Sequence, residues 1–185
     1  MTMQPVGTGN ARGEAGFSLI DMLFVVALIG LVSTLAIPGL MRARGAAQAS
    51  SALGTLRVIN SAQLSFAITC GLGFYAPDLP TLGVAPPGSV EGFVPAELGS
   101  APTFVKSGYN FSMAGTAVGG APATCNGAGP GSTSSGYAAV ADPLDLTPPA
   151  RFFGTNADGT IYEDTASYLA TMPETGAPPA GTPLK

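Results

Sequence analysis

The run FSLIDMLFVVALIGLVSTLAIPGLM, Phe17 to Met41, carries a single charged side chain, Asp21, in an otherwise apolar or small-residue stretch. As an α-helix it rises roughly 1.5 Å per residue, long enough to cross a hydrocarbon core about 30 Å thick. A short polar leader ending in Gly16 precedes it. The pattern predicts a membrane-held helix, and the lone carboxylate inside it is what needs explaining.

Much of the 46% hydrophobic content sits in this block, so the remainder of the 185 residues has an ordinary soluble composition. From about Ala43 onward the chain suffices for one compact domain and leaves too little for a second. The net charge is −4, with seven Lys and Arg in all. Arg42, Arg44 and Arg57 follow the apolar run, but they make no extended basic face, so no direct binding of nucleic acid is expected. His and Trp are absent and Cys occurs twice, which removes His-based metal sites and the Cys/His and Ser/His pairs of nucleophilic catalysis. No catalytic residue, metal or cofactor is therefore expected, and the chain does not read as an enzyme.

Cys70 and Cys125 can pair if the region after the helix lies outside the cytoplasm. A loop of that size gains about 4 kcal/mol in the chain-entropy picture. Two buried reduced thiols are the other reading. The flanking Gly/Pro-rich segments have few other means of fixing themselves, which favours the disulfide.

A secretory signal places its small-residue cleavage site after the apolar region, whereas here the small residue Gly16 comes before it. Cutting after Gly16 would leave the apolar helix as the new N-terminus. Arg12 and the initial amine are then what hold the leader in the cytoplasm, against the opposing charge of Glu14.

The segment GFSLIDMLFVVALIG, Gly16 to Gly30, resembles the N-terminal motif of type IV pilins and pseudopilins. Gly30 and Pro38 also fall where that family commonly carries a helix glycine and proline. The resemblance implies cleavage by a prepilin peptidase between Gly16 and Phe17, with methylation of the new amino terminus at Phe17. It also implies a role for Asp21, which stands where the family pattern has Glu: pairing with the amine at Phe17 of an adjacent subunit, setting the register of one helix on the next. An unpaired acid at the centre of a span costs about 2.5–3.5 kcal/mol, so a retained one usually has a partner. Two plainer readings of Asp21 compete, a side chain snorkelling to the membrane surface and a protonated, inert one. Asp is also one methylene shorter than Glu, which reduces its reach.

Pro38 removes a backbone donor and crowds the preceding turn, and Gly39 adds freedom, so a kink or local melting is expected at Pro38 and Gly39. The alternative is that Pro38 ends the helix. A bend is favoured because the residues after it resume a helical pattern, with Leu53, Leu56, Ile59 and Phe66 near one face. Phe24, Phe66 and Tyr75 invite the idea of an aromatic conduction path along a fibre. Aromatic residues at helical spacing read first as packing, and only Phe17 and Phe24 lie on the apolar half.

Residues 71–104, dense in Gly and Pro, read as one long connecting loop. Strands are expected around Tyr109 to Met113 and Tyr137 to Ala141, and then at RFFGT and TIYED. A Gly/Ser-rich loop held by Cys125 separates the first two. Asn156-Ala157-Asp158-Gly159 suits a hairpin turn. A calcium loop using Asn156, Asp158, Glu163 and Asp164 is the sharper reading, but calcium takes six to eight oxygens and this segment offers few. The Pro-rich tail, about 171–185, is expected to be poorly ordered.

These readings give an α+β class: a leader at 1–16, a hydrophobic membrane or assembly helix at 17–41, and an amphipathic helix half with a globular head at 42–185, its sheet spanning about 105–165. The stretches LMRARGAAQASSALGTLRVINSAQ and RFFGTNADGTIYED are similar to those of bacterial pilins with compact heads, so the resemblance implies a pilin-like fold with the long helix packed on a small antiparallel sheet. It further implies a structural subunit of a type IV pilus, polymerised with copies of itself. Its partners would be the prepilin peptidase, inner-membrane pilus or secretion assembly machinery, and membrane lipid before assembly. Before assembly the chain would span the inner membrane with its head periplasmic, and afterwards lie in an extracellular filament or periplasmic pseudopilus. A minor pilin or type II secretion pseudopilin is the alternative within the family. A membrane-anchored periplasmic binding domain that never polymerises is the alternative of another class.

Overall fold

The computed structural model describes residues 18–146 and 150–184. The chain divides into two compact units, Met1–Ala43 and Arg44–Lys185. Helix α1 runs from Leu19 to Thr69, 51 residues, and belongs to both. It passes through Pro38 with helical backbone on either side, so the expected local melting at Pro38 and Gly39 does not occur, and neither does an end of the helix.

In the second unit, Ala49, Ala52, Leu56, Ile59, Gln63 and Phe66 of α1 are buried at three- and four-residue steps, with Leu53 partly buried beside them. This stripe lies on a six-stranded antiparallel sheet of order β1-β2-β3-β4-β5-β6. The strands are β1 (Thr103–Lys106), β2 (Tyr109–Ala114), β3 (Ala138–Pro143), β4 (Phe152–Asn156), β5 (Ile161–Asp164) and β6 (Thr182–Leu184). Phe104, Phe111, Met113, Ala139, Ala141 and Phe153 join the α1 stripe in one core, as period-2 alternation requires of one sheet face. The layout is α+β, with helix on sheet.

Three expectations for this unit need correction. The segment 71–104 is not one loop. It contains α2 (Leu79–Gly83) and α3 (Ala96–Gly99). Asp78 caps α2, its Oδ1 accepting from the Thr81 N–H at 2.9 Å and the Thr81 hydroxyl at 2.6 Å, which is ordinary N-cap chemistry hidden in a Pro-rich context. The second correction is the start of the sheet, which opens with β1 at Thr103 ahead of the strand expected around Tyr109; β1 pairs with β2 through a two-residue turn, Ser107-Gly108, at φ 50° and 80°.

The tail is the third correction. Residues 182–184 form β6 against β5, so the sheet extends to 103–184 and the tail is ordered. Tyr168 and Met172 pack with Val140 and Phe152 on the sheet face away from α1, which is why all five residues of β4 are buried. The buried Asn156 amide donates to the carbonyls of Pro173 at 3.1 Å and Gly176 at 2.6 Å. Asp158 Oδ2 accepts from the Gly176 N–H at 2.8 Å, and Glu174 Oε1 accepts from the Thr116 N–H at 2.7 Å. Gly181, at φ 100°, passes so close to Tyr168 that a Cβ there would overlap the Tyr168 hydroxyl.

Candidate functional site

In the first unit α1 begins with a turn on Ser18, whose carbonyl accepts from the N–H groups of Asp21 at 3.1 Å and Met22 at 3.4 Å. Asp21 therefore lies in the first turn, where a carboxylate is favoured by the helix dipole. Its side chain is exposed and no partner for it occurs among the described residues. Gly16 and Phe17, the expected cleavage and methylation positions, lie outside the described residues.

From Leu19 to Met41 every large apolar side chain is exposed: Leu19 by 83% and Leu35 by 79%, for example. The mean hydropathy of the best window is 2.5, and none of it is buried. That exposure is compatible with a single-pass membrane anchor. The two hydroxyls in this stretch bond back to their own helix, Ser33 Oγ to the Ile29 carbonyl at 2.8 Å and Thr34 Oγ1 to the Leu31 carbonyl at 2.7 Å. No hydroxyl proton is left to be satisfied by water, the arrangement an apolar solvent demands. A shallow apolar trough runs along Ser33, Ala36, Ile37, Gly39, Leu40 and Ala43. A Cβ at Gly30 or Gly39 would meet nothing within 4 Å.

The second unit is held by polar contacts that carry no sequence signature. Gln63, fully buried, clasps the backbone of Ala76: its Nε2 donates to the Ala76 carbonyl at 2.8 Å and its Oε1 accepts from the Ala76 N–H at 2.9 Å. Asn60 donates to Thr155 Oγ1 at 2.9 Å and accepts from the Tyr137 hydroxyl at 3.0 Å, tying α1 to β4 and to the start of β3. Burial is the main reason the Tyr137 phenol is pushed well above its usual range, so it stays a neutral donor.

Cys70 and Cys125 are joined as a disulfide. The loop around Cys125 is fixed at two further points. Tyr75 and Ser134 exchange backbone bonds at 2.8 and 3.0 Å, and Asn126 donates to the Thr81 carbonyl at 2.8 Å beside the end of α2. The four oxygen-bearing residues weighed as a calcium loop do not converge. Asn156 and Asp158 hold the tail, Glu163 takes both arms of Arg151, and Asp164 accepts from the Thr165 N–H at 2.6 Å. The Arg151 bond is the first cause that lowers the Glu163 carboxyl below its usual range. Among the described residues no group of three or more His, Cys, Asp or Glu gathers as metal ligands would.

No family model, curated protein or solved structure matches the chain.

Proposed function

We propose that this chain is the structural subunit of a type IV pilus, processed after Gly16, methylated at Phe17 and polymerised through the apolar half of α1. The observation that carries this reading is the division of labour within one helix. Residues 19–41 expose every large apolar side chain, while residues 49–67 supply nine buried residues to the second unit. An element that needs apolar surroundings outside its own chain suits a subunit that passes from lipid to a helical filament, an open assembly built on a heterologous contact.

The small residues of α1 support the same reading. Gly30, Gly39, Gly45 and Gly54 each face open space. A helix glycine costs roughly 0.5–1 kcal/mol relative to Ala, and nothing inside this chain repays it. Close approach of a second helix does, as small-residue interfaces show in membranes. Asp21, exposed in the first turn, is then available to the amine at Phe17 of a neighbour.

The test is intact mass and N-terminal sequencing of protein sheared from cells, with an Asp21→Ala strain beside it. The expected result is a chain beginning at methylated Phe17 in the sheared fibres and absent from them in the mutant. An uncleaved chain confined to the membrane would overturn the reading and return the second unit to a membrane-anchored binding domain. The shorter side chain of Asp at position 21 favours a specialised subunit, a minor pilin or pseudopilin. A scarce chain among abundant sheared fibres would select that form.

A further inference from the structure

Two features of the second unit are unused by its own fold, and they are chemically complementary. The first is a preorganised knob. Pro86-Pro87-Gly88-Ser89 is a turn closed by the Ser89 N–H on the Pro86 carbonyl at 3.0 Å, with Gly88 at φ 87° and Pro at the second position, the requirements of a type II turn. Ser89 Oγ then accepts from the Glu91 N–H at 3.2 Å and donates to the Glu91 carbonyl at 2.8 Å. These bonds hold Val90 at the apex. It is 98% exposed, more than any other large hydrophobic among the described residues. Glu91 beside it is exposed and has no ion-pair partner there.

The second feature is an open groove of about 350 Å³ on the solvent side of α1, lined by Arg57, Val58, Ser61, Ala62, Ser65 and Phe93. Arg57 is exposed and lacks an ion-pair partner among the described residues. No Asp or Glu occurs from Met22 to Pro77, so the part of α1 around Arg57 supplies it none. Lys106 and Arg151 both sit in ion pairs, with Glu97 and Glu163. Every Asp and Glu except Glu14 and Asp21 lies after α1, against only Lys106, Arg151 and Lys185 there.

We propose that Val90 and Glu91 of one copy dock in the Arg57 groove of a second copy, Val90 against Val58, Ala62 and Phe93, and the Glu91 carboxylate on the Arg57 guanidinium. The occupant is a second copy because charge and shape match within one sequence. The acid excess lies after α1, Arg57 lies without an ion-pair partner among the described residues on α1, and the apex valine is the apolar plug that the groove lacks. Guanidinium and carboxylate supply a directional, desolvated contact that sets register. This inference rests on the polymerising reading above and names one contact of that assembly.

The test uses the full chain in cells. Arg57→Glu and Glu91→Arg are each expected to lower sheared polymer by about tenfold or more, since like charges then face each other, and the double reversal is expected to restore it. In parallel, Val90→Cys with Ser61→Cys is expected to give a disulfide-linked ladder between copies on non-reducing gels, from fibres and from membranes. All four positions are exposed, and the native disulfide reports that the variants fold. Wild-type polymer that needs Asp21 but ignores both charge reversals would overturn this contact and leave the filament reading standing. If the wild type forms no polymer, the filament reading fails, and the ladder in membranes decides the contact: absent, it is overturned; present, it holds as a contact between membrane-bound copies.

Discussion

The two halves of α1 share a backbone conformation and differ in where their large side chains go. Before Met41 the apolar residues surround the helix on all sides and are all exposed. Leu56, Ile59 and Phe66, after Gln48, collect with alanines on one buried stripe, while Val58, Leu64 and Ile68 stay exposed beside Ser50, Gly54, Arg57, Ser61 and Ser65. A helix hydrophobic all round is built for an apolar environment, and one hydrophobic on a stripe is built for a sheet. The difference teaches that total hydrophobicity and amphipathicity are separate instructions, and this helix carries both in succession.

The largest test of that contrast is a pair of phenylalanines. Phe66 is fully buried with its ring 5.2 Å from Phe93, so Phe66→Ala is expected to cost about 3–5 kcal/mol in chemical denaturation of the full chain in detergent. Phe24→Ala, on the exposed half, is expected to leave that midpoint unmoved. Equal losses would break the comparison.

Reduction of Cys70–Cys125 comes next, at about 2–4 kcal/mol, read as the shift in midpoint with and without a reductant. The partner bonds of Tyr75 with Ser134 and of Asn126 with Thr81 keep the loop from unfolding outright, so a cooperative transition should persist. Gln63→Leu is expected to lose about 1–3 kcal/mol, because Leu matches the volume and leaves the buried Ala76 N–H and carbonyl unpaired. A neutral result would show that Ala76 finds other partners.

The smallest effect is electrostatic. Glu163 titrates below its usual range because Arg151 bonds its carboxylate, so its contribution is complete above the carboxyl range of the unfolded chain. It disappears as pH falls through the lower folded value. The Arg151 side chain is 42% exposed, which limits the gain to under about 1 kcal/mol. In Arg151→Met the midpoint should fall slightly at neutral pH and the acid slope should flatten, measured by melts on either side of the carboxyl range.

How much was legible shows residue by residue. The buried face through Leu56, Ile59 and Phe66 follows from spacing alone. The hairpin at Asn156 to Gly159 follows from turn chemistry, and β4 and β5 pair around it as Thr155 with Ile161. The Asp78 cap could have been found from Asp-Leu-Pro-Thr, but Pro and Gly on either side masked a helix of only 5 residues. The tail could not be read, since its Pro-rich composition carries no pairing signal of its own.

By itself the sequence determined the properties that live within a few residues of one another: an apolar segment long enough for a membrane, an amphipathic continuation, alternating strands and a two-cysteine loop. Only the tertiary structure decided which polar groups meet at long range. Gln63 found Ala76, Asn60 found Tyr137 and Thr155, and Asn156 found Pro173 and Gly176. The reason is physical. Hydrophobic periodicity is set by the local geometry of helix and strand, whereas a buried amide must take whichever unpaired backbone group the packed chain brings within about 3 Å of it.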